Sequence, residues 1–460
     1  MENQINLSFA DLEKLMFTSV LETFQRAMVE ILSLIDDFLM AQRDKGRYEH
    51  KESKKRTCIT MVGTITINRR YYWDRDEHKW VFLLDEFLGL DSGAVSDSLK
   101  ELVVFWATKG PSYRDVRDRL EDLFGSQVLS HETIRQLLIK SSETLQAAVK
   151  PEAPKKKVGV LFIEADGFWT GVQKRGQMKG KKRETKLVVV HEGWEKRHSG
   201  DYQLKNPMYI TSDTLEEGEE LWDRVYLKIW EKYEDINTIP IIINGDFASW
   251  IQSGAKYFKN AIYQYDRFHL KRDIRRLLPQ TEEITRQALL CVDNNNPQGL
   301  LKALDHGFAL TKSEEVFEFK KRLQSHEESV VDYRERLYLK GYEVKDTWRG
   351  MGAAESNVDR FKLRTSKRGR SWSKKGLAAI LNMLGLFYEG ELKDALAGID
   401  SSLFIKPHTE EIVEMSANQI AKTVGVGVLN VRKGGFPSAS KGATEGYSKL
   451  FRQMLNVQHV

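Results

Sequence analysis

The sequence is short of cysteine, of long apolar runs and of net charge, and each shortage excludes something. Only Cys58 and Cys291 occur in 460 residues. Two cysteines so far apart build neither a disulfide framework nor a thiolate zinc site, so a reducing compartment is expected and any metal must be held by oxygen or histidine. No apolar stretch approaches the roughly 20 residues that span a bilayer, and no basic-then-apolar leader opens the chain, so the expectation is a cytoplasmic protein with no membrane partner. A net charge of +5 says little by itself about nucleic acid. What is present is ample apolar side chain, 41% of residues, enough for two or three packed domains.

The positive charge is gathered rather than spread. Lys174, Arg175, Lys179, Lys181, Lys182, Arg183 and Lys186 crowd one segment, and Arg267, Lys271, Arg272, Arg275 and Arg276 a second. Arg360, Lys362, Arg364, Lys367, Arg368, Arg370, Lys374 and Lys375 form a third. One basic run is usually a solvated face. Three runs, each beside one of the acidic segments described below, are what neutralisation of a phosphate backbone requires.

Within 1–50, apolar residues from Leu12 to Ile35 recur at three- and four-residue steps, which predicts an amphipathic helix over 8–42 for packing or dimerisation. Residues 51–95 read as a small antiparallel module: alternation from Thr57 to Trp73 predicts two strands meeting near Gly63, with a third over 79–84. Residues 96–150 return to helix. Starts at Pro111-Ser112 and Ser130 about a break at Gly125 outline either a helix-turn-helix that presents Arg135 and Gln136 to a groove or an ordinary helical hairpin.

Past a proline- and lysine-bearing linker, periodicity over 156–279 predicts strands at 158–165, 186–192 and 207–211, helix 214–234, strand 239–245, helix 247–258, strand 260–265 and helix 266–278. This is the order of a ribonuclease H-like sheet. A right-handed crossover through helix 214–234 lays the strand ending at Asp246 parallel to the one ending at Asp166. A helical insertion is expected over 280–345, a return to the core over 346–391, and a tail over 392–460 to which no role is assigned. The expected fold class is therefore α/β, a ribonuclease H-like core with an all-helical insertion, preceded by an α+β and helix-turn-helix-like region.

Three acids stand in distinctive settings: Asp166 after Val158-Gly-Val-Leu-Phe-Ile-Glu-Ala, Asp246 after Ile239-Pro-Ile-Ile-Ile-Asn-Gly, and Glu355 in Gly350-Met-Gly-Ala-Ala-Glu-Ser. Alone, an acid after an apolar strand is commonly a turn former. Adjacent parallel strands lie about 4.8 Å apart, so carboxylates at their ends can share metal ions. Magnesium takes oxygen ligands, and two such ions can drive in-line displacement at phosphorus. Glu164 shares a strand face with Asp166 and is the alternative ligand, deeper in the strand and therefore less favoured. His269, in Asp266-Arg-Phe-His, falls within reach of the cluster, as an accessory group or as a structural histidine.

These elements together resemble the Mutator-like DDE transposases of bacterial insertion sequences. The motifs are strand-Asp-Gly, Gly245-Asp246-Phe-Ala-Ser-Trp250, Asp266 to His269, a helical insertion, Gly350 to Ser356 and Arg370-Ser-Trp-Ser373. The nearest group is the ISLre-type family, long carried as an uncharacterised protein family. The segment around Arg69-Arg-Tyr-Tyr72 and Leu84-Asp-Glu-Phe-Leu-Gly-Leu90 is similar to that family as well, so the resemblance covers most of the chain up to about residue 392.

The resemblance implies a DDE triad of Asp166, Asp246 and Glu355 holding two Mg2+ or Mn2+ ions, with His269 accessory. It implies cleavage of DNA at element ends and attack of the released 3′ hydroxyl on target DNA, without a covalent enzyme intermediate. Partners would be duplex DNA with terminal inverted repeats, target DNA and further copies of the chain, in a nucleoid-associated setting. DNA contacts are expected from Arg135, Gln136, Lys181, Lys182, Arg183, Lys271, Arg272, Arg360, Arg364, Lys367, Arg368 and Arg370. Two alternatives stay open: a DNA-binding protein on the same sheet without activity, and a ribonuclease H-like nuclease.

Overall fold

In the computed structural model, which describes residues 8–90, 93–148, 154–173, 181–198, 200–212, 218–278 and 282–401, the N-terminal apolar repeat folds as helix α1 (Phe9–Gln42). Its start is set by a reciprocal cap: Ser8 Oγ accepts the Asp11 amide and Asp11 accepts the Ser8 amide. Strands β1 (Tyr48–Thr60) and β2 (Gly63–Asp74) pair as a long antiparallel hairpin, and β3 (Lys79–Val81) adds a short edge. The strand expected over 79–84 stops at Val81. Leu84 and Leu88, four apart, instead build helix α2 (Leu83–Leu88), which Gly89 ends in the left-handed region at φ 60°. Cys58, Ile65, Ile67 and Leu84 form the buried core beneath this sheet, and the second half of α1 packs on it.

The described residues fall into two compact units, one drawing on 8–102 and 117–129, the other on 103–116 and 130–399. Helices α3 (Asp97–Lys109) and α4 (Tyr113–Phe124) cross the division, and α5 (His131–Ala147), capped by Ser130, belongs to the second unit.

The second unit is built around strand β4 (Leu161–Val172). It pairs antiparallel with β5 (Lys181–His191); a small hairpin, β6 (Trp194–His198) with β7 (Asp201–Leu204), follows, and β8 (Met208–Thr211) then pairs with β5. Helix α6 (Gly218–Lys232) crosses over to β9 (Ile241–Gly245), parallel to β4 as the crossover argument requires. A short helix α7 (Ser249–Ser253) leads to β10 (Ala261–Tyr265), and the sheet order is β10-β9-β4-β5-β8. β4 and β9 are buried on both faces, as a near-continuous run of Ile, Leu and Phe demands. Trp222, Val225 and Ile229 of α6 close the core on one face.

Helix α8 (Arg267–Leu277) leads into α9 (Glu282–Asp293), α10 (Pro297–Thr311), α11 (Glu314–Gln324) and α12 (Tyr333–Leu339). Helix α13 (Ala353–Thr365), a two-residue strand β11 (Ser371–Trp372), α14 (Lys374–Glu389) and α15 (Leu392–Ser401) complete the described chain. Neither β11, parallel to β4 at Gly171 and Val172, nor the β6–β7 hairpin was legible in the periodicity. The 158–165 strand is longer than expected. Its second half alternates buried and less buried residues against β5, so Asp166 lies mid-strand opposite Leu187 rather than at a strand end. Among the described residues no helix is long and apolar enough to cross a membrane.

Candidate metal centre

β4 carries Asp166 two residues beyond Glu164, the last residue it pairs with β9, where the partner is Asn244. Asp246 is likewise two residues beyond Asn244, so both acids leave the parallel ladder at the same level. Gly245 is required there, because a Cβ would stand 2.9 Å from Ala165 O. After β10 the chain turns at Asp266, whose Oδ1 caps α8 by accepting the His269 amide at 3.0 Å. Asn244 Nδ2 donates to Asp266 Oδ2 at 2.7 Å, and the Asp266 amide donates to Gly245 O. The Asp-X-X-His spacing is thus a helix cap, and it delivers His269 to the strand ends. Glu355 arrives from the first turn of α13.

Carboxylate oxygens of Asp166 and Glu355 and a ring nitrogen of His269 lie within 4.8 Å of one another. His269 Nε2 is 3.9 Å from Asp166 Oδ2. Asp246 is not one of the three: its Oδ1 accepts the Ala248 amide at 2.8 Å in a local turn. The gathered trio is therefore Asp, His and Glu, with Asp246 beside it, rather than the three carboxylates alone.

Burial pushes the Asp166 carboxyl up to about 6; the charges of Asp246 and Glu355 push the same way, while the Gly167 amide and His269 oppose. Asp166 is 8% exposed, and His269, 6% exposed, has an Nδ1 without a hydrogen-bond partner. The crowded acids leave uncompensated negative charge, which a divalent cation would satisfy. In one octahedral magnesium site neighbouring ligands lie about 3.0 Å apart and only opposite ones about 4.2 Å, so the three side chains would have to draw inward to hold a single ion.

Glu164 is fully buried and is not part of the trio. Its Oε2 accepts the amides of Gly352 at 2.9 Å and Ala354 at 3.1 Å. At Gly167 the Glu184 carboxylate stands where a side chain would be.

The expected DNA-contacting cations divide. Arg364 does not qualify: it is 6% exposed, its Nη2 donates to Ala107 O at 3.1 Å, and its guanidinium lies over Tyr113 and Trp372. Arg370 likewise serves the fold, donating to the carbonyls of Leu363, Arg364 and Pro111. Arg135 and Gln136 both bond to Glu132 on their own helix. Lys271 pairs with Asp293, and Arg272 stands 3.7 Å from Asp273. Lys182 and Arg183 are exposed on β5, and Arg360 and Lys367 on and just after α13. The side chains of Lys181 and Arg368 lie outside the described residues, as do residues 402–460.

Fold and site together define a mixed α/β protein whose central strand brings a buried carboxylate into an acid-and-histidine cluster of metal-ligand spacing. The chain belongs to the uncharacterised protein family UPF0236, whose model matches residues 2–397. It is 27% identical over 392 residues to "UPF0236 protein in vanSb 3'region" of Streptococcus gallolyticus, covering 82% of each chain. It is 25% identical over 361 residues to a UPF0236 protein of Caldanaerobacter subterraneus subsp. tengcongensis, covering 76% of this chain and 71% of that one; that protein's name carries eleven locus designations. Among solved structures, the Drosophila P element transposase strand transfer complex is similar at 9% identity and a TM-score of 0.24, over 70% of this chain and 83% of that one.

Proposed function

We propose that this chain is the DDE transposase of a bacterial insertion sequence, with a ribonuclease H-like core that cuts and joins DNA by metal-dependent phosphoryl transfer. The observation that carries the reading is the convergence of Asp166, His269 and Glu355 within 4.8 Å, with Asp246 just past the end of the neighbouring parallel strand. The sheet order and the helical stretch between β10 and α13 support it. So does the relative with eleven locus designations in one genome, since many copies are what a self-mobilising sequence leaves behind.

When bound, Mg2+ or Mn2+ ions, two in the working site, supply activation of the attacking oxygen and charge neutralisation at the leaving one. Asp166 and Glu355 offer them anionic oxygens and His269 an imidazole nitrogen; Asp246 joins once its turn with Ala248 opens. In the first step a water oxygen bonds to phosphorus and the bond to the 3′ oxygen breaks, the water's proton leaving and the 3′ oxygen being protonated. In the second, that 3′ hydroxyl oxygen bonds to a phosphorus of the target and the bond from that phosphorus to the target's own 3′ oxygen breaks, the attacking hydroxyl losing its proton and the released 3′ oxygen gaining one. No enzyme atom joins the chain of bonds. Lys182, Arg183, Arg272, Arg360 and Lys367 neutralise backbone phosphates, the N-terminal region holds the terminal repeats, and the working assembly contains more than one copy.

The test is a gel assay of the full chain on labelled duplex carrying the inverted repeats that flank its gene, with Mg2+ or Mn2+. Wild type should nick and join these ends while Asp246→Ala binds without cutting. Binding with no cleavage under either metal would leave a DNA-binding protein only.

A further inference from the structure

Helix α13 begins without a cap of its own. Its N-cap residue is Gly352, which has no side chain to accept the orphan amides of the first turn. The acceptor comes from a distant part of the chain, because Glu164 Oε2, from the middle of β4, takes the amides of Gly352 and Ala354. A carboxylate there also meets the positive end of the helix dipole. The other oxygen, Oε1, stands 3.4 Å from Nε2 of the equally buried His191 on β5, whose ring stacks on Phe162.

The far end of α13 is tied to the same strand. Ser366 Oγ donates to Trp169 O at 2.9 Å, and β11 pairs with Gly171 and Val172. Glu355 follows Ala354 directly, so its position depends on the tie between Glu164 and the helix start.

Resting on the metal-site reading above, we infer that Glu164 is a positioning residue: it caps α13 from β4 and so holds Glu355 against Asp166 and His269. Glu164 ligates nothing in this role. It acts through Glu355, and its loss lets the first turn of α13 fray and withdraw one ligand from the trio.

The test is Mn2+ titration of the full chain by electron paramagnetic resonance, alongside amide hydrogen exchange of the metal-free protein. Glu164→Ala should weaken Mn2+ binding by roughly 10- to 100-fold, the range for residues that orient a ligand. It should also speed exchange at 352–355 more than elsewhere in the second unit. Glu164→Gln, which keeps one acceptor oxygen and the shape, should recover most of the affinity. Where Glu164→Ala fails to fold, Glu164→Asp asks the same question, since it keeps the charge but draws the oxygens back from α13. Faster exchange at 352–355 with wild-type Mn2+ affinity overturns the inference. A wild type that binds no Mn2+ is a different failure, that of the metal site itself, and takes the inference with it.

Discussion

Asp166→Asn should make the metal-free protein more stable at neutral pH. The Asp166 carboxyl is raised from 3.8 to about 6, chiefly by burial. The sign follows from proton counting: between pH 4 and 6 the folded state holds a proton that the unfolded state has released, so stability falls as pH rises through that window and stays reduced above it. Two units at about 1.36 kcal/mol each make the penalty on the order of 3 kcal/mol at pH 7.5. Asparagine carries no charge to desolvate. Its Oδ1 can still accept the Gly167 amide, which Asp166 accepts at 2.7 Å, and its Nδ2 can donate to the neighbouring acids.

The assay is thermal melting in chelator at pH 7.5 and pH 4.5. At roughly 2–4 °C per kcal/mol for a unit of this size, the variant should melt several degrees above wild type at pH 7.5, with the advantage shrinking at pH 4.5. Excess Mn2+ should reverse the order, because ligand binding to the folded state raises wild-type stability and the variant has lost a ligand. A variant that melts at or below wild type in chelator at pH 7.5 would refute the reasoning, since Asp166 would then not be a charge held against its solvation cost.

His269→Ala should weaken Mn2+ binding more than Mg2+ binding, because imidazole suits transition ions better than magnesium; equal losses in paired titrations would show that His269 is not a ligand. Arg364→Ala should cost about 2–4 kcal/mol in denaturant melts by leaving Ala107 O unpaired and a gap between Tyr113 and Trp372, and unchanged stability would contradict the buried placement. Lys182→Ala should weaken DNA binding evenly across sequences and lower the salt slope by about 1, which affinities at several salt concentrations would detect or exclude. Gly171→Ala should loosen the β11 attachment, since its Cβ would fall 2.7 Å from Arg370 O; faster amide exchange at 371–373 is the expected sign.

Much of the core was legible because its signals are local. Ile241 to Ile243 and Leu161 to Ile163 announce buried strands, and the length of the intervening segment forces a crossover that makes them parallel. Asp266 and His269 are readable because a cap and its third residue are neighbours in sequence. What escaped depends on contacts far apart in the chain. Nothing near Glu164 tells that its partners are amides at 352 and 354, and nothing near Arg364 tells that Ala107, Tyr113 and Trp372 enclose it. The placing of the buried Arg364 among the DNA contacts has one cause: a run of basic residues looks alike whether its members face solvent or fill carbonyl acceptors. Asp166 was placed at a strand end because Asp-Gly is a turn signal, yet β5 offers a full-length partner and the ladder overrides it.

One strand organises the whole candidate site. Along β4, Glu164 caps α13, Asp166 joins the trio, the carbonyl of Trp169 accepts from Ser366, and Gly171 and Val172 receive β11. The helix carrying Glu355 is therefore fastened at both ends to the strand carrying Asp166, and the geometry between these two acids is set by hydrogen bonds within one sheet and one helix. Asp246 is different, since it lies outside the trio in the 246–248 turn, where its Oδ1 accepts the Ala248 amide and its carbonyl accepts the Tyr263 hydroxyl. The Asp166–Glu355 half of the site is thus preformed and the Asp246 part adjustable, so an ion that binds the trio should do so without large rearrangement, while engagement of Asp246 should require the 246–248 turn to open. Amide exchange at Ala248 measures that difference: it should be slow in the metal-free protein and should rise when substrate and metal are both present.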